Sequence, residues 1–188
     1  MQTIRILNTQ PVTGEWQQFK MRFTNSEALG VRDFSIALGM QGEVVFDDVA
    51  LYEIDTLREG RILYLPFDGS FVAREAGGAK TPEVRGAPKF VDGIQGQAAS
   101  FTDNANLVFS AEGNFDQAEG TLAMWIKPYW PNNDGIPHCF LEVPVGPELF
   151  TDGGFVVTKG WSTGVQPNLG YFYNSPGHYH ISGFERFD

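Results

Sequence analysis

The chain has 188 residues, enough for one sizeable domain or two small ones, since domains usually run about 100–150 residues. Thirteen Lys and Arg against 23 Asp and Glu give a net charge of −10 at pH 7, which argues against a binder of phosphate backbones; 42% hydrophobic and 19% charged content argues against wholesale disorder. The single cysteine, Cys139, excludes an internal disulfide framework and a Cys-based zinc finger, and no apolar run reaches the roughly 18 residues of a membrane-spanning helix.

The opening Met1–Arg5 lacks the apolar stretch of a secretory leader. Phe19, Met21 and Phe23 then alternate with Gln18, Lys20 and Arg22, the period of a half-buried strand. Phe34, Ile36 and Leu38 repeat the pattern after a loop centred near Asn25–Gly30. Val44–Phe46 and Val49–Tyr52 form a further apolar stretch, interrupted by Asp47 and Asp48. The polar segment Asp55–Arg61 is the candidate boundary between two β-rich units. Beyond it come Ile62–Phe67, the turn Asp68–Ser70, and a loop over 72–89 bearing Gly, Ala and Pro. Apolar runs return at Ala98–Phe101, Leu107–Phe109, Thr121–Lys127, Phe140–Val143, Phe155–Thr158, Leu169–Tyr173 and Tyr179–Ser182. Turn sequences at 132–135, 152–154 and 175–177 separate several of them. With Gly 22 and Pro 11 interrupting long helices, and Phe 16, Tyr 6 and Trp 4 to fill a core, the pattern predicts an all-β chain, a sandwich or jelly roll in two units.

Two stretches carry a family resemblance. Gly14-Glu15-Trp16-Gln17-Gln18-Phe19, followed by alternating apolar residues and then Gly42-Glu43-Val44-Val45-Phe46-Asp47-Asp48-Val49-Ala50-Leu51-Tyr52, resembles the end of a carbohydrate-binding-module jelly roll. Phe67-Asp68-Gly69, the string Phe90–Ala98 (FVDGIQGQA), and Gly120-Thr121-Leu122-Ala123-Met124-Trp125-Ile126-Lys127-Pro128 resemble the start of a laminin-G-like domain of the concanavalin A-like lectin/glucanase superfamily. The resemblance implies C-terminal strands of one module over 1–55 and a laminin-G-like domain lacking its last strands over 62–188. The expected fold is thus an all-β sandwich or jelly roll of concanavalin A-like type, incomplete at both ends. Missing strands expose edges, so Leu107–Phe109 or Leu122–Ile126 is expected beside unpaired or solvent-exposed neighbours.

Asp47 and Asp48 occupy adjacent positions of one strand, which places their side chains on opposite faces. A carboxylate among Val, Phe and Leu needs a partner. The resemblance implies that an acidic residue of this signature helps hold a structural Ca²⁺, an ion that takes oxygen ligands; the alternative is a hydrogen bond to loop amides with the other carboxylate exposed. Flat rings stack on sugar faces, which makes Trp16, Tyr52, Tyr129, Trp130, Trp161, Tyr171 and Tyr173 candidates. Tyr129 and Trp130 lead into the loop at 132–135, and Trp161 follows a turn, so Tyr129, Trp130 and Trp161 are the expected ligand-binding residues. Trp16 also has a core reading from its place in the closing sandwich, and Trp125 is assigned to the core from its place in the strand signature.

His178 and His180 share one strand face, a spacing able to chelate a transition metal, though two exposed polar residues would look the same. Cys139 reads as a small buried apolar residue. Glu142 and Glu148 do not reproduce the paired-carboxylate strand of glucanases, and no nucleophile-elbow, phosphate-loop or His-Glu-x-x-His string is present. The expectation is a non-catalytic, carbohydrate-binding region of a larger secreted protein, with glycan as partner and no nucleic acid or membrane span. Its rivals are a protein-binding or spacer laminin-G-like module, and an ancillary region of a glycoside hydrolase or polysaccharide lyase whose catalytic domain lies outside this chain.

Overall fold

Period-two alternation becomes strand throughout the computed structural model of the chain. It describes residues 5–6, 14–24, 33–36, 42–52, 60–102, 104–116, 119–131, 134–144, 154–159, 169–175 and 178–182, with the backbone alone at 5–6, 23–24, 155, 169–175 and 178–182. The strands are β1 (Arg5–Ile6), β2 (Gln17–Thr24), β3 (Asp33–Ile36), β4 (Glu43–Tyr52), β5 (Arg61–Leu65), β6 (Glu75–Ala76), β7 (Glu83–Arg85) and β8 (Lys89–Asp92). They continue as β9 (Gln97–Thr102), β10 (Asn106–Ser110), β11 (Glu119–Pro128), β12 (His138–Pro144), β13 (Gly154–Lys159), β14 (Leu169–Ser175) and β15 (His178–Ser182). No described residue is helical, so no described helix is long and apolar enough to cross a membrane.

Two antiparallel sheets pack face to face as a β-sandwich. The first runs β1-β2-β11-β4-β5-β6, with β9 sharing the free edge of β4 with β5 and carrying β8 beyond it. The second runs β15-β14-β13-β12-β3-β10-β7. Strands from either side of Asp55–Arg61 are therefore hydrogen-bonded to one another in both sheets: β11 lies between β2 and β4, and β3 lies between β10 and β12. The segments 1–55 and 62–188 do not own separate sheets.

This interleaving corrects the expectation of exposed neighbours. β10 is paired on one side with β3 and on the other with β7, and β11 is paired along both edges. Leu107, Phe109, Leu122, Met124 and Ile126 are all buried. Of the four edges, three are filled by strands from the N-terminal third and the fourth by β7.

One continuous core joins the sheets. Phe19, Met21, Val44, Phe46, Leu63, Leu65, Phe101, Leu122 and Ile126 come from the first sheet, and Phe34, Ile36, Leu107, Phe109, Phe140 and Val157 from the second. Phe46 sits at the seam. Its ring meets Phe101 of its own sheet edge-on at 5.6 Å and Phe140 of the opposite sheet edge-on at 5.9 Å, the T-shaped geometry that aromatic quadrupoles favour.

Candidate functional site

The outer face of the first sheet follows from the parity of its strands. Leu122, Met124 and Ile126 point into the core, so Ala123, Trp125 and Lys127 point the other way. The indole expected in the core is therefore on the outer face and half-buried, a correction the alternation itself requires. Phe19 and Met21 face inward on β2, which leaves Gln18 and Lys20 outward; the register sets Gln18 beside Trp125 and Lys20 beside Ala123.

Just past β11, the Tyr129 amide donates to the Glu43 carbonyl at 3.0 Å, which pins the backbone. Its ring stays 57% exposed, with the Lys127 ammonium 5.4 Å from its centroid, in cation–π range. Trp16, immediately before β2, is also half-exposed rather than core. Trp125, Lys127 and Tyr129 thus form a stripe at every second residue, bordered by Gln18 and Trp16.

The other expected ligand residues fall differently. Trp130 is buried at 7% exposure and stacks on His138 with ring centroids 3.8 Å apart and planes 13° apart. Its ring is therefore closed to a sugar face, because the chain turns it back over β12. Tyr52 is buried on β4. Trp161 lies outside the described residues. Tyr171, Tyr173, His178 and His180 lie on β14 and β15, where the backbone alone is described.

Asp47 and Asp48 mark a β-bulge. The β4–β11 register shifts there, so that Ala50 faces Ala123 but Asp47 faces Trp125. Core positions step from Val44 and Phe46 to Val49 and Leu51, a change of parity that one extra residue produces. Asp48 takes it up with φ 48°, a left-handed conformation that Asp tolerates better than most residues. The expectation of opposite faces fails for this reason: the bulge turns both carboxylates outward and spares the core a charge.

Each carboxylate then finds a donor from the chain. The Tyr64 hydroxyl donates to Asp48 Oδ1 at 2.5 Å, while Arg61 lies over the same ring at 4.1 Å and is itself paired with Glu75. Burial, followed by the hydrogen bond to Asp48, raises the Tyr64 phenol to about 12. Asp47 is 1% exposed and sits under the turn joining β8 to β9, where the Ile94 amide donates to its Oδ2 at 2.9 Å. Gly93 is what lets the turn come so close: a Cβ there would lie 2.5 Å from Asp47 Oδ2 and 2.9 Å from the Gln97 carbonyl carbon. At the other end of the turn, the Gln97 amide donates to Asp68 Oδ1 at 3.2 Å. Burial, reinforced by the charge of Asp48, pushes the Asp47 carboxyl up to about 6.

Calcium takes six to eight oxygen ligands. Asp47 and Asp48 are engaged inside the chain, and no group of three or more His, Cys, Asp or Glu that could hold a metal occurs among the described residues.

A second polar cluster, missed by sequence reasoning, lies at the start of β12. His138 Nε2 is 2.7 Å from Asp134 Oδ2, Asp134 Oδ1 is in contact with Lys159 Nζ, and both His138 and Lys159 have fully buried side chains. Burial holds the His138 imidazole below its ordinary value, and its Nε2–H donates to the Asp134 carboxylate. Cys139 beside it is half-buried, with its thiol pushed up by burial. The hairpin register, which sets His138 opposite Lys159, assembles the cluster. Comparison with protein-family models, with curated proteins and with solved structures finds no match to the chain.

Proposed function

We propose that this chain is a non-catalytic β-sandwich region of a larger secreted protein, and that it binds a glycan on the outer face of the first sheet. The observation that carries the reading is the stripe of half-buried Trp125, Lys127 and exposed Tyr129 along one strand face, bordered by Gln18 and Trp16. Rings held four residues apart along one strand face offer stacking platforms, and the neighbouring ammonium and amide offer hydroxyl partners. Calcium has no part in this proposal.

The test is retention of the purified chain on insoluble polysaccharides and on a glycan array. Tyr129→Ala and Trp125→Ala are expected to lose retention several-fold, while Val84→Ser, at an exposed position on β7 of the other sheet, retains it. Absence of retention on every glycan, or retention indifferent to both aromatic substitutions, removes the reading. A spacer role is the second reading, favoured by the buried Lys159–Asp134–His138 cluster, which ties the segment before β12 to the end of β13.

A further inference from the structure

A fully buried lysine against a carboxylate is an expensive way to hold a loop, because desolvating the two charges offsets most of their attraction. Yet Lys159 has 0% side-chain exposure and Asp134 11%. Lys159 Nζ contacts Asp134 Oδ1 and donates to the Ile136 carbonyl at 3.4 Å, so the amine is aimed at the carboxyl group rather than at solvent. The other carboxylate oxygen is held by His138 Nε2 at 2.7 Å. Trp130 stacks on the His138 ring and closes the site.

We infer that Lys159 and Asp134 condense into an intramolecular amide, an isopeptide cross-link between the segment preceding β12 and the last residue of β13. The step balances without any oxidant or co-reactant. Within the contact the ammonium passes one proton to the carboxylate, leaving a neutral amine and a neutral acid. The Nζ lone pair attacks Asp134 Cγ, and the developing oxyanion is stabilised by the His138 Nε2–H. Nζ then loses a second proton to the departing hydroxyl. The Cγ–O bond breaks, one water leaves, and the Nζ–Cγ amide remains with its carbonyl oxygen.

Fixed juxtaposition supplies the effective concentration that amines and carboxylates lack in bulk water. Two further buried atoms, His138 Nδ1 and Trp130 Nε1, have no hydrogen-bond partner among the described residues.

Intact-mass spectrometry of the denatured full chain tests the inference without any variant. The expected mass is that of the sequence less one water, with proteolysis giving a branched peptide that joins the Asp134 and Lys159 segments. Lys159→Arg keeps a buried cation against Asp134 but has no nucleophilic amine, and is expected at its full sequence mass; Asp134→Ala likewise. A wild-type chain at full sequence mass with separate peptides overturns the proposal. A water loss mapped to other residues, or one that persists in Lys159→Arg, overturns it equally.

Discussion

Replacing Asp47 by Asn separates a buried charge from a buried hydrogen bond. The carboxyl lies 1% exposed beneath the Gly93–Gln97 turn, faces Trp125 of β11, and has Asp48 as its charged neighbour; its pKa rises from 3.8 to about 6. Between those values the folded chain keeps a proton that the unfolded chain has released, so stability is present at low pH and falls as pH rises through the window. The interval corresponds to about 3 kcal/mol, fully lost above pH 7. Asn is neutral throughout and keeps a carbonyl for the Ile94 amide, whereas its amide group meets donors that the carboxylate accepted, a cost that does not vary with pH. The informative quantity is the difference in unfolding free energy between Asp47→Asn and wild type, from urea titrations at pH 4 to 8. It is expected to move in favour of the variant by about 2.5 kcal/mol across that range, or about 5–10 °C in Tm for a chain of this size. A difference that stays constant with pH would refute the assignment of Asp47 as a buried, pH-costly carboxylate.

Other consequences can be measured on the same footing. Asp48→Ala is expected to cost about 1–2 kcal/mol for placing a Cβ-bearing residue without a local hydrogen bond in the left-handed conformation, plus about 1 kcal/mol for the lost Tyr64 bond; Asp48→Gly should recover the backbone part, and equal Tm losses for the two would count against the bulge. Phe46→Ala, which empties the seam between the sheets, is expected to cost about 3–5 kcal/mol by urea titration. Calcium and chelator are both expected to leave the Tm unchanged, as read by calorimetry, because Asp47 and Asp48 are engaged with Ile94 and Tyr64.

Strands were legible where side chains decide locally. The alternation at Phe19–Met21 and Phe34–Ile36, and the runs of β4, β10 and β11, reappear as paired strands whose described apolar members fill the core. The same rule already placed Trp125 opposite Leu122, Met124 and Ile126; assigning it to the core let a family signature override a strand period. The bulge at Asp48 was not legible, because it is a mismatch of two residues against one that appears only once β4 is aligned with β11. Trp130 looked exposed beside a loop, and its burial depends on stacking with His138, eight positions on. The Lys159–Asp134 contact spans 25 positions and exists only through the β12–β13 pairing. Nor does strand order follow from local pattern: nothing in the composition of β11 says that its neighbours come from before Asp55.

That order is the claim on which the rest stands, and residues 62–188 expressed alone test it most directly. Without the N-terminal segment, β11 loses β2 and β4, β10 and β12 lose β3, and β5 and β9 lose β4. Thermal unfolding followed by circular dichroism is predicted to show no cooperative transition for 62–188, against a single transition for the full chain. A cooperative transition in 62–188 alone, reproduced as a separate step in the full chain, would contradict one interleaved sandwich.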